Sequence, residues 1–379
     1  MESAGSLLGT DWITMVDKKA VEEFTIPPPA GAEVASMPCT NSYYAYPKVK
    51  NLHLASSHIA SLLDGLWRRS VHPGEDVTFY HLKDVIVAEE GLVFDLAGNL
   101  ISVTRTYHTD EEVLAGRQRV LDAIERGLAN KIDKGILGKS RGADNYGHFL
   151  VEMLPRAWLA RRILSLNDWP VIIFDEPTAV TRSATAALHC AGFSNEYVLP
   201  MGRAPVFVGD LIVVDRLTGH AVYLSPLVME CLDTITETIA AAKNDSIYVP
   251  RRPSMSRDFN DEHLVAERLQ GLGFQEVETA ALPFHEQVAA FKGASRVVGC
   301  AGAALTNIAF CRPGTDVFIF MPSGAAEVFF WMLAEARNLN YHEIRCREIG
   351  PQRGAFSWDR LLDVSPDEVV RLIEPGVWN

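Results

Sequence analysis

The sequence predicts an α/β protein made of two Rossmann-like domains, and three observations lead there. The chain has 379 residues, too long for one typical domain and well suited to two of roughly 150–200 residues each. Short runs of β-branched and aromatic residues alternate with segments of helical periodicity in both halves, the rhythm of parallel strands joined by helices. The stretch Ser295 to Phe310 condenses that rhythm into one unit: a buried strand ending at Gly299, a turn of small residues through Gly302, and a helix from Ala303 with Leu305, Ile308 and Ala309 at core spacing.

Composition narrows the function. Hydrophobic residues make up 48% and charged residues 22%, ordinary for a soluble protein with full-sized cores, and the net charge of −13 argues against nucleic acid or anionic lipid as a partner. The six cysteines are scattered without a Cys-x-x-Cys pair, which reads as reduced thiols and argues against zinc. No apolar run approaches the ~20 residues that span a bilayer, and the first residues lack the basic start and apolar core of a secretory signal. A cytoplasmic location is expected, with peripheral membrane association and homodimerisation left open.

In chain order, residues 1–40 read as an extended arm, because Ile26 to Pro29 and Pro38 favour a polyproline-like conformation. A helix is predicted from His53 to Arg69. Strands follow at Val77–Tyr80, Asp84–Val87 and Leu92–Phe94, the last pairing with Ile101–Thr104 as a hairpin, and then a helix from Asp110 to Asn130. Strands at Val171–Phe174 and Tyr197–Leu199 flank a helix near Ser183–Cys190. Leu199 to Pro205 breaks the periodicity, so domain boundaries are expected at 41–203 and 204–350, with 351–379 a tail whose helix packs back on the first domain. The second half alternates more clearly, with strands at Asp210–Asp215, Ser246–Val249, Phe274–Val277, Val317–Phe320 and Tyr341–Ile344. A doubly wound sheet of this kind binds its ligands beyond the carboxyl ends of its strands.

Two places carry residues suited to chemistry. Asp144 and Asn145 are good helix caps, and a helix starting there stacks His148 and Glu152 on one face, with Pro155 kinking or restarting it. Such a pair can be a proton acceptor with its orienting partner; it can equally be a carboxylate satisfying a half-buried histidine. At the other place, three arginines, Arg251, Arg252 and Arg257, leave the strand Ser246–Val249 at the predicted ligand edge. Guanidinium stays charged and binds phosphate oxygens bidentately. With the unpaired amides of the turn at Gly302, the arginines make a cradle for a diphosphate, the alternatives being a solvated loop and a tight packing turn.

The run Asn145 to Arg156, then Arg251, Arg252, Arg257 and Glu262, Gln287, and Val297 to Asn307, in this order, resemble glycosyltransferase family 61, as do Pro322, Glu327, Phe330, Leu333, Ala334, Asn340 and Tyr341. The resemblance covers about residues 85–347. It implies a GT-B-like fold, two Rossmann-like domains facing across a cleft, and an inverting transfer from a nucleotide sugar, often UDP-linked, to a glycan or glycolipid acceptor. In bacterial relatives it implies polysaccharide, capsule or lipopolysaccharide synthesis. Where the family has His-Gly-Ala-Gly-Leu-Thr-Asn, this chain has Ala301 and Ala304 at the His and second Gly positions.

The combined expectation is a base among His148, Glu152 and Asp144 and a donor site of Arg251, Arg257, Gly302, Ala303, Thr306 and Asn307, with Glu327 on the ribose. No Asp-x-Asp occurs, so neither metal nor cofactor is expected. The rival readings are a nucleotide-sugar epimerase and a catalytically silent nucleotide-sugar-binding subunit.

Overall fold

The structure is a computed structural model that describes residues 21–220, 222–251 and 256–378; Arg252 lies outside the described residues. The described residues form two compact units, those of 21–39 with 75–218 and those of 40–74 with 219–378. Both are mixed α/β.

The first unit is built on a nine-stranded sheet in the order Thr25–Ile26, Leu100–Ile101, Leu92–Phe94, Val77–Ala88, Val206–Asp215, Lys131–Leu137, Val171–Phe174, Val198–Met201, with Glu33–Met37 also pairing on Val77–Ala88. Strands Lys131–Leu137, Val171–Phe174, Val198–Met201 and Val206–Asp215 run parallel, and Val77–Ala88 joins Val206–Asp215 antiparallel. The expected break at Leu199–Pro205 is therefore a connection between two strands of one sheet, and the long apolar strand Val206–Asp215 lies near the middle of this unit. Residues 21–39 are not a free arm. Val21, Phe24 and Ala32 are buried, and two strands of the segment are hydrogen-bonded into the sheet.

The second unit carries a seven-stranded sheet ordered Gln275–Glu276, Ser246–Val249, Arg296–Cys300, Asp316–Pro322, Asn340–Ile349, Leu361–Asp363, with Lys48–Lys50 also on Asn340–Ile349. Its first five strands are parallel. Numbered along the chain they stand in the order 2-1-3-4-5, whose direction of winding reverses between Ser246–Val249 and Arg296–Cys300. The tail also differs from expectation. Leu361–Asp363 pairs antiparallel with Asn340–Ile349, helix Pro366–Leu372 packs on helix Glu262–Gly271, and Trp378 covers Phe318 and His342, all within the second unit. Apolar Val364, Val369, Leu372 and Ile373 bring it there, joining the core around Phe259, Phe318 and Phe320.

Candidate active site

In the first unit, strand Lys131–Leu137 ends in the loop that leads to Asn145. The Asn145 side chain caps the helix by accepting the Gly147 amide at 2.8 Å. One α-turn, Tyr146–His148, passes into a π-turn, Phe149–Met153, and an α-helix resumes at Leu154–Leu164 with Pro155 in its first turn. The predicted restart at Pro155 is present for the predicted reason: proline has no amide to bond back to Val151. The wide turn lies on the residues of interest, as such turns do at many functional sites. Its apolar side buries Phe149, Leu150 and Met153.

Within this helix His148 Nδ1 lies 3.0 Å from Glu152 Oε1, with the carboxylate buried and the imidazole partly open. A carboxylate accepts, so Nδ1–H is the donor of this contact. Gly142 fixes the ring from the other side. Its φ is +85°, and a Cβ there would lie 3.1 Å from His148 Cδ2 and 3.2 Å from Cγ. The glycine is thus required twice, by conformation and by contact. The Gly142 amide donates to Glu90 Oε2 at 2.7 Å, and Arg203 pairs with Glu90 Oε1 at 2.6 Å. Asp144, the third candidate base, is exposed on the same loop. Sequence reasoning missed Glu90 and Arg203, which lie on other segments and carry no local signal.

In the second unit, Arg251 and the turn Gly299–Ala303 follow the two strands that flank the reversal of winding. Arg251 is deeply engaged with backbone: Nη1 donates to Ala301 O at 2.7 Å, Nε donates to Ser256 O at 2.7 Å, and Asp258 Oδ1 is 3.5 Å from Nε. Burial and the neighbouring Arg257 pull its pKa down to about 10, so it remains a cation at neutral pH. Arg257 has φ of +60° and is held by the tail, its amide donating to Arg360 O at 2.7 Å and its Nε 3.1 Å from Asp359.

The segment Ala303–Phe310 is helical, but of the 3₁₀ type. Leu305 N–H makes the first such bond, to Gly302 O at 2.9 Å, so the amides of Ala303 and Ala304 precede the ladder. Ala303 and Ala304 are half-buried, whereas Gly302, Thr306 and Asn307 are buried. Asn307 Nδ2 is turned inward, donating to Gln287 Oε1 at 3.1 Å and Ala304 O at 3.0 Å. Asn307 therefore braces the turn from inside, Thr306 is buried beside it, and the partly exposed residues of the turn are Ala303 and Ala304.

Glu327 lies on the loop between strand Asp316–Pro322 and helix Phe329–Ala336. Its Oε1 accepts the Phe329 amide at 2.7 Å, and His220 Nε2 stands 3.9 Å from Oε2 with its ring stacked on Phe329. Burial alone would raise the Glu327 pKa, but the imidazole of His220 and the amides of Phe329 and Val328 outweigh it and hold the carboxyl below its ordinary value. His220, a lone histidine in sequence, carried no signal there. The loop is clamped by Ser323 Oγ and Gly324 N–H, both donating to Glu348 at 2.6 Å.

Among the described residues no helix is long and apolar enough to cross a membrane, and none of the six cysteines forms a disulfide. A comparison with curated proteins gives no match. Residues 146–318 match the family model described as Glycosyltransferase 61, a span that runs from the helix of His148 and Glu152 through Arg251, Arg257 and the turn at Gly302, and this match supports a glycosyltransferase of that family.

Proposed function

We propose that the chain is an inverting, metal-independent glycosyltransferase of the GT-B type. In this reading it moves a sugar from a nucleotide donor, UDP-linked, to a hydroxyl of a glycan or glycolipid acceptor in polysaccharide, capsule or lipopolysaccharide synthesis. The observation that carries the reading is the His148–Glu152 contact of 3.0 Å, on a turn inside the span that matches the transferase family.

His148 Nε2 takes the proton of the acceptor hydroxyl as its oxygen attacks the anomeric carbon. Glu152 steadies the imidazolium that results. The bond from that carbon to the diphosphate oxygen breaks with its electron pair going to the leaving group, and attack from the opposite face inverts the configuration. A positioned base of this kind is worth roughly 10²–10⁴-fold in rate. On the donor side, the reading is supported by the switch in strand order, where open parallel sheets bind their ligands. There the amides of Ala303 and Ala304 meet the diphosphate, Arg251 and Arg257 supply positive charge, and Glu327 hydrogen-bonds the ribose.

The test is transfer from UDP-sugars to a panel of glycan acceptors, with product configuration read by proton NMR. Inversion with full rate in excess chelator is expected. A retained configuration, or activity lost in chelator and restored by Mg²⁺, would overturn the mechanism; isomerised donor without an acceptor would replace transfer by epimerisation.

A further inference from the structure

We infer that Arg156 and the recess beside it hold an anionic group of the acceptor, a carboxylate or phosphate borne by the molecule whose hydroxyl is glycosylated. The inference rests on the transferase reading above and adds a substrate class to it.

Arg156 follows Glu152 by four residues, as Glu152 follows His148, so the three lie in succession along one side of the helical run. Arg156 lines a recess in the first unit with Thr104, Thr106, Lys139, Ser140 and Met153 among its neighbours, and the described lining includes two basic residues and no carboxylate. Arg156 Nε is buried, and among the described residues it has no hydrogen-bond partner. Its Nη2 reaches Thr218 Oγ1 only at 3.5 Å. The acid that feels its charge, Asp215, is committed elsewhere: Oδ1 accepts the Arg216 amide at 2.8 Å and Oδ2 lies 3.7 Å from Arg216 Nε. A buried guanidinium N–H left without an acceptor is costly unless a ligand or water completes it.

The lining is strained at one residue. Thr106, a β-branched residue, has φ of +41°, a conformation that such residues avoid and that persists where the surroundings impose it. The recess is small, about 10 Å³, the room of one water-sized group. It therefore admits one oxygen of an oxyanion and excludes a sugar ring. Lys139, also in the lining, donates to Gly202 O at 2.9 Å and adds positive potential there.

The experiment measures binding to the full chain with the donor site saturated by UDP, so that added anions do not compete there. Methyl β-glucuronide and glucose 6-phosphate are titrated against methyl β-glucoside by calorimetry. At least one of the two anionic sugars is expected to bind about tenfold or more tightly than the neutral one, and which of them does so separates a carboxylate from a phosphate. Arg156→Gln should abolish the preference, and Arg156→Lys, which keeps the charge and removes Nε, should reduce it severalfold. Equal binding of all three sugars, or a preference that survives both substitutions, would overturn the inference and leave only a water in the recess. If neither variant folds, the preference of the unaltered chain decides. Transfer to neutral acceptors at full rate with no effect of Arg156→Gln would sink this inference while leaving the transferase reading intact; absence of transfer to any acceptor would count against that reading instead.

Discussion

Gly302 has no side chain because Arg251 occupies the place of one: a Cβ on Gly302 would lie 1.4 Å from Arg251 Nη1 and 2.7 Å from Cζ. The φ of Gly302 is 179°, extended backbone open to any residue, so contact alone selects the glycine. Arg251 is thereby pinned between Ala301 O and Ser256 O and sets the shape of the turn that the donor is proposed to meet.

Gly302→Ala should therefore weaken nucleotide binding by about tenfold or more, by pushing Arg251 off its two carbonyls. Arg251→Ala should do the same by removing the clamp. The two are coupled, since residues in contact do not add. In an Arg251→Ala background, Gly302→Ala should have almost no further effect on UDP affinity measured by calorimetry. Full additivity of the two losses would mean that the turn keeps its shape without the arginine.

His148→Ala and Glu152→Ala should each lower turnover by ~100-fold or more while leaving donor affinity nearly unchanged, the pattern of a group that acts on the acceptor proton. Gly142→Ala is the subtler case. A methyl group at 3.1–3.2 Å from the imidazole displaces the ring, and the +85° φ disfavours alanine, so turnover should fall about tenfold with a lowered Tm. Steady-state kinetics on the three variants check this; a rise in donor Kd with unchanged turnover would place His148 on the donor instead.

The His148–Glu152 pair was legible because helical spacing is a local property, and so was the restart at Pro155. Strands Val171–Phe174 and Ser246–Val249 declared themselves by apolar runs. Lys131–Leu137 did not. Lys131, Asp133 and Lys134 disguise it, and Gly135, where a Cβ would come within 2.8 Å of Ile172 Cδ1, looks like a turn residue until its neighbouring strand is present. Val77–Ala88 read as two strands because His81 to Asp84 are mostly polar, and Asp84 does interrupt the backbone with φ of +51° although the strand continues. What sequence could not reveal is long-range. The Glu90–Gly142 hydrogen bond spans 52 positions, and Arg251–Ala301 spans 50.

Glu343 and Arg345 form an ion pair with both side chains fully buried, Arg345 Nε donating to Glu343 Oε1 at 2.7 Å and Tyr341 Oη donating to Oε2 at 2.6 Å. Arg345 also donates to Pro322 O at 3.1 Å and to Ala325 O, so the pair anchors the loop that carries Glu327. Glu343→Gln leaves a guanidinium buried without its counter-charge and should cost ~3–5 kcal/mol of stability. The double replacement Glu343→Leu with Arg345→Met should cost less in denaturant unfolding than the single one. The double variant should still bind nucleotide more weakly, because the loop has lost its anchor; unchanged affinity would separate that loop from the donor.

Lys139 offers a test by pH. Burial drives its pKa down to about 8, against the partial support of Glu89. A lysine whose pKa is lower folded than unfolded binds fewer protons in the native state between the two values. Stability then rises with pH across that window, from about 8 to about 10.5, and is insensitive to this group below it. The gain across the window is at most ~3.5 kcal/mol at about 1.4 kcal/mol per pKa unit. Lys139→Met removes the titration, so unfolding free energies of the two proteins should differ by a constant amount below pH 7. Above pH 8 the unaltered chain should gain on the variant. The measurement is urea unfolding at pH 7, 8, 9 and 10, and a difference that stays flat across all four would show that the ammonium is not held in a costly environment.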